Sequence, residues 1–349
     1  MRLEPREEVP LSLSVGAPLL AILGALVLCA LPLAVAGAPV LEAYGLMLRG
    51  ALGSRFALTE TLARAAPLIL TGLAAALAFR AKLWNIGGEG QLYLGAVAAV
   101  VVGSTAWAAS PYVMIPAVML AGFAAGALLL LIPTLLKTRL GVDEVVTTLL
   151  LNFVVLLFVS LLVEGPLQDP MSMGWPQSEP IVEEATLPRL IARTRVHLGL
   201  VIALVAAALA WLLVARTRWG FEIRAVGANP SAARFAGMSA QAVLLRVAIL
   251  SGGLAGLAGV GEVAGVRGYL TTDLSPGYGY SGIVVAMLAQ LNPLGVVAAA
   301  LFVAVIFVGA DSMGRALGVS SYIADLIVAT SLLTMLLATL WLRYRVRWK

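Results

Sequence analysis

The stretch that decides the fold runs from residue 197 to residue 264. It consists of an apolar run at 197–215 (HLGLVIALVAAALAWLLVA), a basic segment at 216–240 (RTRWGFEIRAVGANPSAARFAGMSA) and a second apolar run at 241–264 (QAVLLRVAILSGGLAGLAGVGEVA). A helix of about 20 apolar residues crosses the hydrocarbon core of a bilayer. The pattern therefore predicts two membrane-spanning helices that are joined by a short polar loop.

The loop between these two runs contains the signals of a short capped helix of its own. Asn229 is a good N-cap, because its side-chain oxygen accepts from free backbone N–H groups. Pro230 suits the first helical turn, and Gly237 can take the left-handed conformation that ends a helix. A helix of about seven residues is unstable alone in water. We therefore expect a soluble partner to dock on it.

The composition of the whole chain is that of an integral membrane protein. Of its 349 residues, 61% are hydrophobic and 12% are charged, whereas a soluble domain carries about a quarter charged residues. No shift in composition marks a second domain. We predict one all-α, polytopic transmembrane domain over 1–349, embedded in the membrane from about 11 to 342.

The apolar runs predict about ten membrane crossings, several of them short or broken by Gly or Pro. They lie at 11–36, 58–79, 83–108, 112–136, 143–163, 197–215, 241–264, 280–291, 294–311 and 322–342. The run at 280–291 is too short to span unaided, so we expect a half-helix or a re-entrant segment there.

The distribution of basic residues predicts the orientation, because Lys and Arg concentrate in cytoplasmic loops. Four basic clusters fall on one side: Arg80 with Lys82, Lys137 with Arg139, the loop 216–240, and the tail 343–349. Both termini and the loop 216–240 are therefore predicted to be cytoplasmic, and the loop 164–196 to lie outside. Scattered exceptions on the outer side are Arg49, Arg55, Arg267 and Arg315.

Several functional classes are poorly supported by the residues present. The chain has one cysteine, Cys29, and one histidine, His197, which cannot form a disulfide framework or a His/Cys metal site. No lysine follows a glycine, so there is no P-loop for ATP. We therefore expect no enzyme activity and no resident metal or cofactor. We also expect no nucleic-acid partner, because the distribution of positive charges fits membrane topology and contact with membrane lipids better.

The third crossing begins LWNIGGEGQLYLGA and is unusually polar. Its polar side chains are Asn85, Glu89 and Gln91. A carboxylate inside a membrane span costs about 2.5 kcal/mol or more, so Glu89 is a functional candidate. One interpretation is a broken helix that lines a polar pathway for a hydroxylated substrate. The other is that Glu89 lies near the interface and pairs with Arg80 or Lys82.

Polar residues also occur in the fifth and seventh crossings. Asp143 and Glu144 open the fifth, where carboxylates favour a helix N-terminus. Asn152, deeper in that helix, is either a pathway residue or an interhelical hydrogen-bonding residue. In the seventh, Gly252 with Gly256, and Gly261 with Gly265, predict close helix packing. Glu262, near the outer end, is either hydrated or a weak candidate for a substrate site.

In the stretch LSPGYGYSGIVVAMLAQLNPLG, at 274–295, Pro276, Gly277 and Gly279 prevent a regular helix entry. Its tyrosines fit either an interfacial aromatic belt or stacking on a sugar or base ring. The pathway candidates here are Tyr278, Tyr280, Ser281 and Gln290.

Four motifs together carry a family resemblance. WNIGGEGQLYLGA, TRLGVDEVVTTLLLNF, RAVGANPSAARFAGMS and YGYSGIVVAMLAQLNPLG occur in this order and resemble the permease subunits of bacterial ABC importers for simple sugars and nucleosides. The resemblance covers about 60–340, and the NIGGEGQ segment is more similar to nucleoside-type permeases than to ribose-type ones.

The resemblance implies a ten-helix permease of the bacterial plasma membrane that forms the translocation path for a nucleoside or a simple sugar. It implies a second permease subunit, identical or different, and cytoplasmic ATPases that bind ATP and Mg. It also implies a periplasmic or lipoprotein substrate-binding protein. Nucleosides, ribose-like sugars and purines all remain open as substrates.

The resemblance further implies that residues 221–238 form the coupling helix that docks in a groove of the ATPase. The residues concerned are Phe221, Arg224, Gly227, Asn229, Pro230, Arg234, Phe235 and Gly237. We expect Phe221, Val226 and Phe235 to fill the groove and the two arginines to make polar contacts there. The alternative for the arginines is contact with lipid headgroups.

A proton-coupled secondary transporter is the rival interpretation. It would use Glu89 or Asp325 to carry protons, since a carboxylate inside a span is a typical proton site.

Overall fold

The computed structural model describes residues 2–5, 24, 26–35, 37–105, 107 and 110–347. Nearly all of them are helical. The helices are α1 (Leu26–Val35), α2 (Val40–Leu52), α3 (Arg55–Arg80), α4 (Gly88–Gly103), α5 (Pro111–Leu140), α6 (Glu144–Val163), α7 (Leu198–Arg216), α8 (Arg218–Ala228), α9 (Pro230–Phe235), α10 (Ala240–Glu262), α11 (Tyr278–Leu288), α12 (Pro293–Leu317) and α13 (Ser321–Arg343).

Six of the described helices are long and apolar enough to cross a membrane, namely α3, α5, α6, α7, α12 and α10 together with the π-helical turn Val263–Arg267. A bent pair, α1 and α2, adds up to one more span, with 115° between its two parts. The multi-pass helical prediction is therefore confirmed. Of the first predicted crossing, 11–36, only residue 24 and residues 26–35 are described.

Two helices inside the apolar region are too short to span alone. Helix α4 has 16 residues and α11 has 11, which correspond to about 24 and about 16 Å of length. The hydrocarbon core is about 30 Å thick. The structure thus confirms a short helix at the predicted run 280–291, although this helix begins earlier, at Tyr278. The helical part of the third predicted crossing begins at Gly88 rather than at residue 83.

The described chain forms two compact units, of which the larger is Leu62–Ala300. Helix α10 is central to this unit and packs on α4 and α5. Added Cβ atoms at Gly252 and Gly256 would overlap the carbonyls of Gly126 and Gly122, so the close packing predicted for this pair is confirmed. Gly265, in contrast, packs on the imidazole ring of His197 rather than on another helix backbone.

The loop 164–196 lies against the C-terminal end of α4 and the segment that follows α10. Val182 N donates to Gly103 O at 2.8 Å, Leu187 N to Ala264 O at 2.7 Å and Ile181 N to Gly268 O at 2.8 Å. The C-terminal ends of α4 and α10 therefore lie on the same side as this loop.

The smaller unit comprises the described residues of Met1–Thr61 and Leu301–Lys349. Here α2 packs on α12, because a Cβ at Gly50 would overlap Ser312 and one at Gly309 would lie 2.8 Å from Met47 O. Helix α2 was not predicted, since Arg49 and Glu42 divide its short apolar runs.

Strands β1 (Arg2–Pro5) and β2 (Tyr344–Arg347) pair antiparallel, with Arg2 opposite Arg347. The all-α prediction did not include this two-stranded sheet. Two four-residue segments at opposite ends of the chain carry no local signal of their pairing.

Candidate functional site

The third predicted crossing, 83–108, does not begin as a helix. Helix α3 ends where Leu83 N donates to Ala78 O at 3.0 Å, with Lys82 in the left-handed region at φ 54°. Helix α4 then begins at Gly88, after Gly87 as N-cap. Residues 81–87 are therefore a non-helical connection, and α4 starts within the larger unit.

Helix α11 is the second half-helix, and the chain that leads into it runs alongside α4. The Tyr93 hydroxyl, one turn past Glu89 on α4, donates to Thr272 O at 2.7 Å and accepts from Ser275 N at 3.2 Å. Gly277 then turns the chain at φ 88° into the first turn of α11. The segment before α11 therefore follows α4 back towards its N-terminus.

The N-termini of α4 and α11 meet at Glu89. Its Oε2 accepts from Gly279 N at 2.7 Å, and a Cβ on Gly279 would overlap Glu89 N. A Cβ on Gly88 would lie only 3.3 Å from Gly279 O. Glu89 is 3% exposed. Since helix N-termini carry partial positive charge, this position stabilises a buried carboxylate. The pairing of Glu89 with Arg80 or Lys82, considered above, is therefore wrong.

A pair of amides holds the connection 81–87 against the start of α4. Asn85 Nδ2 donates to Gln91 Oε1 at 2.9 Å, and Gln91 Nε2 donates to Asn85 Oδ1 at 2.8 Å. Asn85 also donates to the Ser251 hydroxyl at 3.0 Å, and that hydroxyl donates to Ala74 O at 2.7 Å. Both amides are buried, and each donates to and accepts from the other.

Asn152 of α6 forms hydrogen bonds to three other segments, namely the connection 81–87, α4 and α11. Its Oδ1 accepts from Gly90 N at 2.8 Å, and its Nδ2 donates to Ile86 O at 2.9 Å and to the Tyr280 hydroxyl at 3.2 Å. The nearby Thr148 hydroxyl accepts from Ile86 N at 3.3 Å. Asn152 thus forms the interhelical hydrogen bonds that were one of its two predicted roles.

Five of the predicted pathway residues come together at this crossing: Asn85, Glu89, Gln91, Asn152 and Tyr280. We call this group the crossing cluster. Tyr278 and Ser281 are buried in the first turn of α11, so an interfacial-belt role for Tyr278 is wrong. Gln290 is exposed beyond the other end of α11, apart from the crossing cluster.

Two residues of this region were missed by sequence reasoning, namely Tyr93 and Ser251. Ser251 carries a detectable signal, because it is a hydroxyl within an otherwise apolar and glycine-rich helix. Tyr93 carries none, since its role depends on a loop about 180 residues later in the chain.

The two carboxylates at the start of α6 divide their roles. Asp143 Oδ1 accepts from Val145 N at 2.7 Å and from Val146 N at 3.2 Å, which confirms the predicted capping. Glu144 is buried instead. It pairs with Lys137 and accepts from Trp84 N at 3.2 Å, so it joins the end of α5 to the connection 81–87.

The predicted short helix in the loop 216–240 is present as α9. Asn229 Oδ1 accepts from Ser231 N at 3.0 Å and from Ala232 N at 3.1 Å, and Pro230 occupies the first position. Gly237 follows the helix at φ 82°, with Met238 N donating to Ala233 O at 3.0 Å. The structure adds α8 before it, which the sequence reasoning had not predicted.

The α8–α9 pair presents an exposed surface, but not the whole predicted set of residues. Phe235 is 97% exposed and Phe221 is 55% exposed. Arg234 is exposed and bonds the Ser231 hydroxyl, while Arg224 donates to Val214 O at the end of α7. Val226 is buried, so its predicted place in a partner's groove is wrong.

Helix α8 is packed directly on the end of α3. A Cβ on Gly227 would overlap the Arg80 carbonyl. The Arg80 guanidinium in turn donates to Leu291 O, from Nε at 3.0 Å and from Nη2 at 2.7 Å. Since Leu291 lies just beyond α11, a continuous chain of contacts joins the α8–α9 pair to the half-helix that carries Gly279.

The end of the larger unit that lies against the loop 164–196 holds the buried titratable groups His197 and Glu262. His197 caps α7 by accepting from Gly199 N on Nδ1 at 3.1 Å, and within the described structure its Nε2 has no hydrogen-bond partner. Burial lowers the pKa of His197 to about 4. Glu262 is buried as well, so the expectation that it is hydrated is wrong. Among the described residues, no cluster of His, Cys, Asp and Glu could hold a metal ion.

Broken helices that meet inside an apolar helical bundle are typical of membrane transport proteins. The chain belongs to the permease family described as branched-chain amino acid transport system / permease component, whose profile matches residues 57–339.

Curated relatives cover nearly the whole chain. It is 39% identical to the glucose ABC transporter permease protein TsgB13 of Haloferax volcanii, over 99% of this chain and 93% of that protein. It is 36% identical to the guanosine ABC transporter permease protein NupP of Bacillus subtilis, over 90% and 91%. A second guanosine ABC transporter permease protein of B. subtilis, NupQ, is 29% identical over 69% and 77%. No solved structure matches this chain.

Proposed function

We propose that this chain forms the membrane path of an ATP-driven importer for a nucleoside or a simple sugar. The crossing of α4 and α11 at Glu89 supports this most directly, because half-helix N-termini that meet inside a bundle are where transporters bind polar substrates. The relatives named for guanosine and for glucose support the substrate class.

The path leads through the crossing cluster. In the state described, Asn85 and Gln91 bond each other, and Asn152 bonds Tyr280. A small movement of α11 away from α4 breaks the bond between Asn152 and Tyr280 and the bond between Glu89 and Gly279 N. It leaves an amide, a phenol and a carboxylate free for the hydroxyl groups of a substrate. The path continues along α11, past Tyr278 and Ser281, to Gln290 beyond its last turn.

The proposed topology has ten crossings in one transmembrane domain. The connection 81–87 with α4 makes one broken crossing, and the segment before α11 with α11 makes another of opposite direction. Both termini and the loop 216–240 are cytoplasmic, and the loop 164–196 is outside. This fits the basic residues at Arg80, Lys137 and Arg216, which lie together on one side of such an arrangement.

The proposed assembly contains a second permease, cytoplasmic ATPases and an outer substrate-binding protein in the plasma membrane. B. subtilis has two guanosine permeases that both resemble this chain, which supports pairing of two different permeases. The partner ATPases bind ATP and Mg, and this chain holds neither cofactor nor metal.

The α8–α9 pair transmits the movement. Phe235 and Phe221 dock in the ATPase groove, Gly227 passes the displacement to Arg80, and Arg80 passes it to α11 through Leu291. Turning a 1:99 equilibrium into 99:1 requires about 5.5 kcal/mol of differential affinity. Nucleotide binding at the partner can supply this only through a rigid connection, and the close packing at Gly227 meets that need.

One experiment distinguishes transport driven by ATP from transport driven by a proton gradient. Substrate uptake is measured in cells whose proton gradient is collapsed while ATP is maintained. We expect uptake to continue. Loss of uptake under these conditions, with recovery when the gradient returns, would instead support proton coupling through Glu89 or Asp325.

The substrate is best measured on the associated binding protein, with a panel of guanosine, adenosine, ribose, glucose and free purines. Tight binding of one nucleoside or one sugar is expected. Binding of purine bases alone would contradict the proposed substrate class, since it requires no contact with a sugar ring.

A further inference from the structure

A cavity of about 640 Å³ lies between the turn that joins α7 to α8 and the turn that joins α9 to α10. The charged side chains that line it are Arg216, Arg218, Glu222 and Arg246. Three positive charges against one negative charge make this an electropositive site. The proposed function uses Phe221, which also lines the cavity, for docking, and it assigns no role to the charged side chains of the cavity.

Arg246 is held in place by other side chains, whereas Arg216 and Arg218 are available to an anion. Arg246 pairs with Glu222 at 3.3 Å, and its guanidinium lies over the Trp219 ring, 5.1 Å from the ring centroid. Within the part of the chain that the structure describes, neither Arg216 nor Arg218 has an acidic partner. The charge of the cavity is therefore not neutralised by the protein itself.

Two helix N-termini open towards the same cavity. Helix α8 begins at Arg218, where the Thr217 hydroxyl accepts from Gly220 N at 3.1 Å. Helix α10 begins at Ala240, where the Ser239 hydroxyl accepts from Ala242 N at 3.3 Å. Each cap satisfies one of the first four N–H groups of its helix. Both helix dipoles add to the attraction for an anion that the arginines provide.

The position of the cavity indicates the source of the anion. One turn from Arg216 on α7, Leu212 is exposed, and one turn from Arg246 on α10, Ile249 is exposed. These apolar side chains lie on the exposed surface of helices long and apolar enough to span a membrane, and Trp219 is also exposed. The arginines thus lie where the apolar surface ends, at the depth of lipid headgroups.

We propose that this cavity binds the phosphodiester headgroup of an anionic phospholipid, with the acyl chains lying along Leu212 and Ile249. The leaflet follows from the cytoplasmic placement of the loop 216–240 in the proposed function, but the binding chemistry does not depend on it. A bound lipid would connect the α7–α8 turn to the start of α10, beside the proposed docking surface.

The test measures binding to the purified full-length chain in a neutral detergent. Native mass spectrometry is used to titrate short-chain phosphatidylglycerol against phosphatidylcholine of equal chain length. We expect clear preference for phosphatidylglycerol. Arg216→Gln and Arg218→Gln should each weaken it about fivefold, as one lost headgroup–arginine contact predicts. Arg234→Gln, which removes an exposed arginine outside the cavity, should leave binding unchanged.

Glu222→Gln distinguishes a ligand site from a structural charge cluster. It should strengthen phosphatidylglycerol binding, because it removes the negative charge of the one acidic side chain among the described lining residues. Weaker binding in this variant would overturn the proposal, and so would equal binding of phosphatidylcholine. Glycerol 3-phosphate and inorganic phosphate are added as soluble competitors. If either one fully displaces phosphatidylglycerol at micromolar concentration, the site binds a soluble phosphate instead. Since no uptake is measured, the result is independent of the proposed transport function.

Discussion

The Arg80 guanidinium holds the carbonyl of Leu291 with two hydrogen bonds, at 3.0 and 2.7 Å. These residues end α3 and follow α11, so the bonds fasten the half-helix to a full-length helix. The Arg80 carbonyl is also the surface on which Gly227 of α8 packs. A single residue therefore contacts both the proposed coupling segment and the helix that closes the crossing cluster.

Arg80→Gln should uncouple ATP hydrolysis from transport. Hydrogen bonds from a charged group contribute about 1.5–3 kcal/mol, so the interaction between residue 80 and the Leu291 carbonyl weakens about tenfold or more. We expect the assembled complex to hydrolyse ATP while uptake in proteoliposomes falls in that proportion. Arg139→Gln, at the exposed end of α5, is the matched control and should transport normally. Uptake that remains at the wild-type level in Arg80→Gln would refute the linkage.

Gly279→Ala should prevent the close packing of α4 and α11 at Glu89. The added methyl group overlaps Glu89 N, and backbone on both sides prevents relief by a rotamer change. We expect a loss of about 2 kcal/mol in the free energy of unfolding and strongly reduced uptake. Gly45→Ala provides the control, because that glycine of α2 has no atom within 4 Å of the added carbon. Equal stability of the two variants would show that the helices are not in close contact.

Asn152→Ala should destabilise the protein by about 3 kcal/mol, because it leaves the Gly90 N–H and the Ile86 carbonyl without their partner. Thermal unfolding of the purified chain measures this. Thr147→Ala, which removes a bond within one turn of the same helix, should change stability by less than about 0.5 kcal/mol. If both variants unfold at the same temperature, Asn152 does not hold the helices together.

Lowering the pH should destabilise the protein through His197. Its folded-state pKa is about 4, below the ordinary value of about 6.5. The unfolded chain therefore binds the proton first, and stability falls as the pH drops from about 6.5 to about 4, by about 3 kcal/mol in total. His197→Asn keeps an acceptor for Gly199 N and should flatten this part of the curve. An unchanged slope would mean that other groups cause the loss.

Phe235→Asp should prevent the ATPase from docking without unfolding the chain, because the side chain is almost wholly exposed. Co-purification with the ATPase measures the effect, and uptake should be lost with it. Trp175→Asp makes the same kind of change on the opposite loop, where the aromatic side chain is also exposed. Retained co-purification in Phe235→Asp would contradict the docking role.

Helix positions were largely predictable, because the length of an apolar run is a local property that the bilayer requires. The capped helix α9 was predictable for the same reason, since Asn229, Pro230 and Gly237 each act on backbone within a few residues. The preceding helix α8 and helix α2 were missed, because neither has a long apolar run, and the Thr217 cap of α8 was not recognised in the sequence.

The candidate site was only half predictable. Glu89 and Asn152 could be selected, because polar groups in apolar helices are costly and must have partners. Their partners could not be derived, since Gly279 lies 190 residues away from Glu89 in the sequence. Val226 was misplaced because its exposure depends on how α8 packs on α3.

The sequence by itself determined that the chain is a multi-pass helical membrane protein with a capped helix in a basic loop. Hydrophobic length, charge distribution and capping act over a few residues and need no knowledge of the fold. Only the tertiary structure decided that α4 and α11 meet at Glu89 and that Arg80 links α11 to the α8–α9 pair. Those contacts join distant segments, so they depend on the packing of glycine surfaces and on the pairing of buried polar groups across helices.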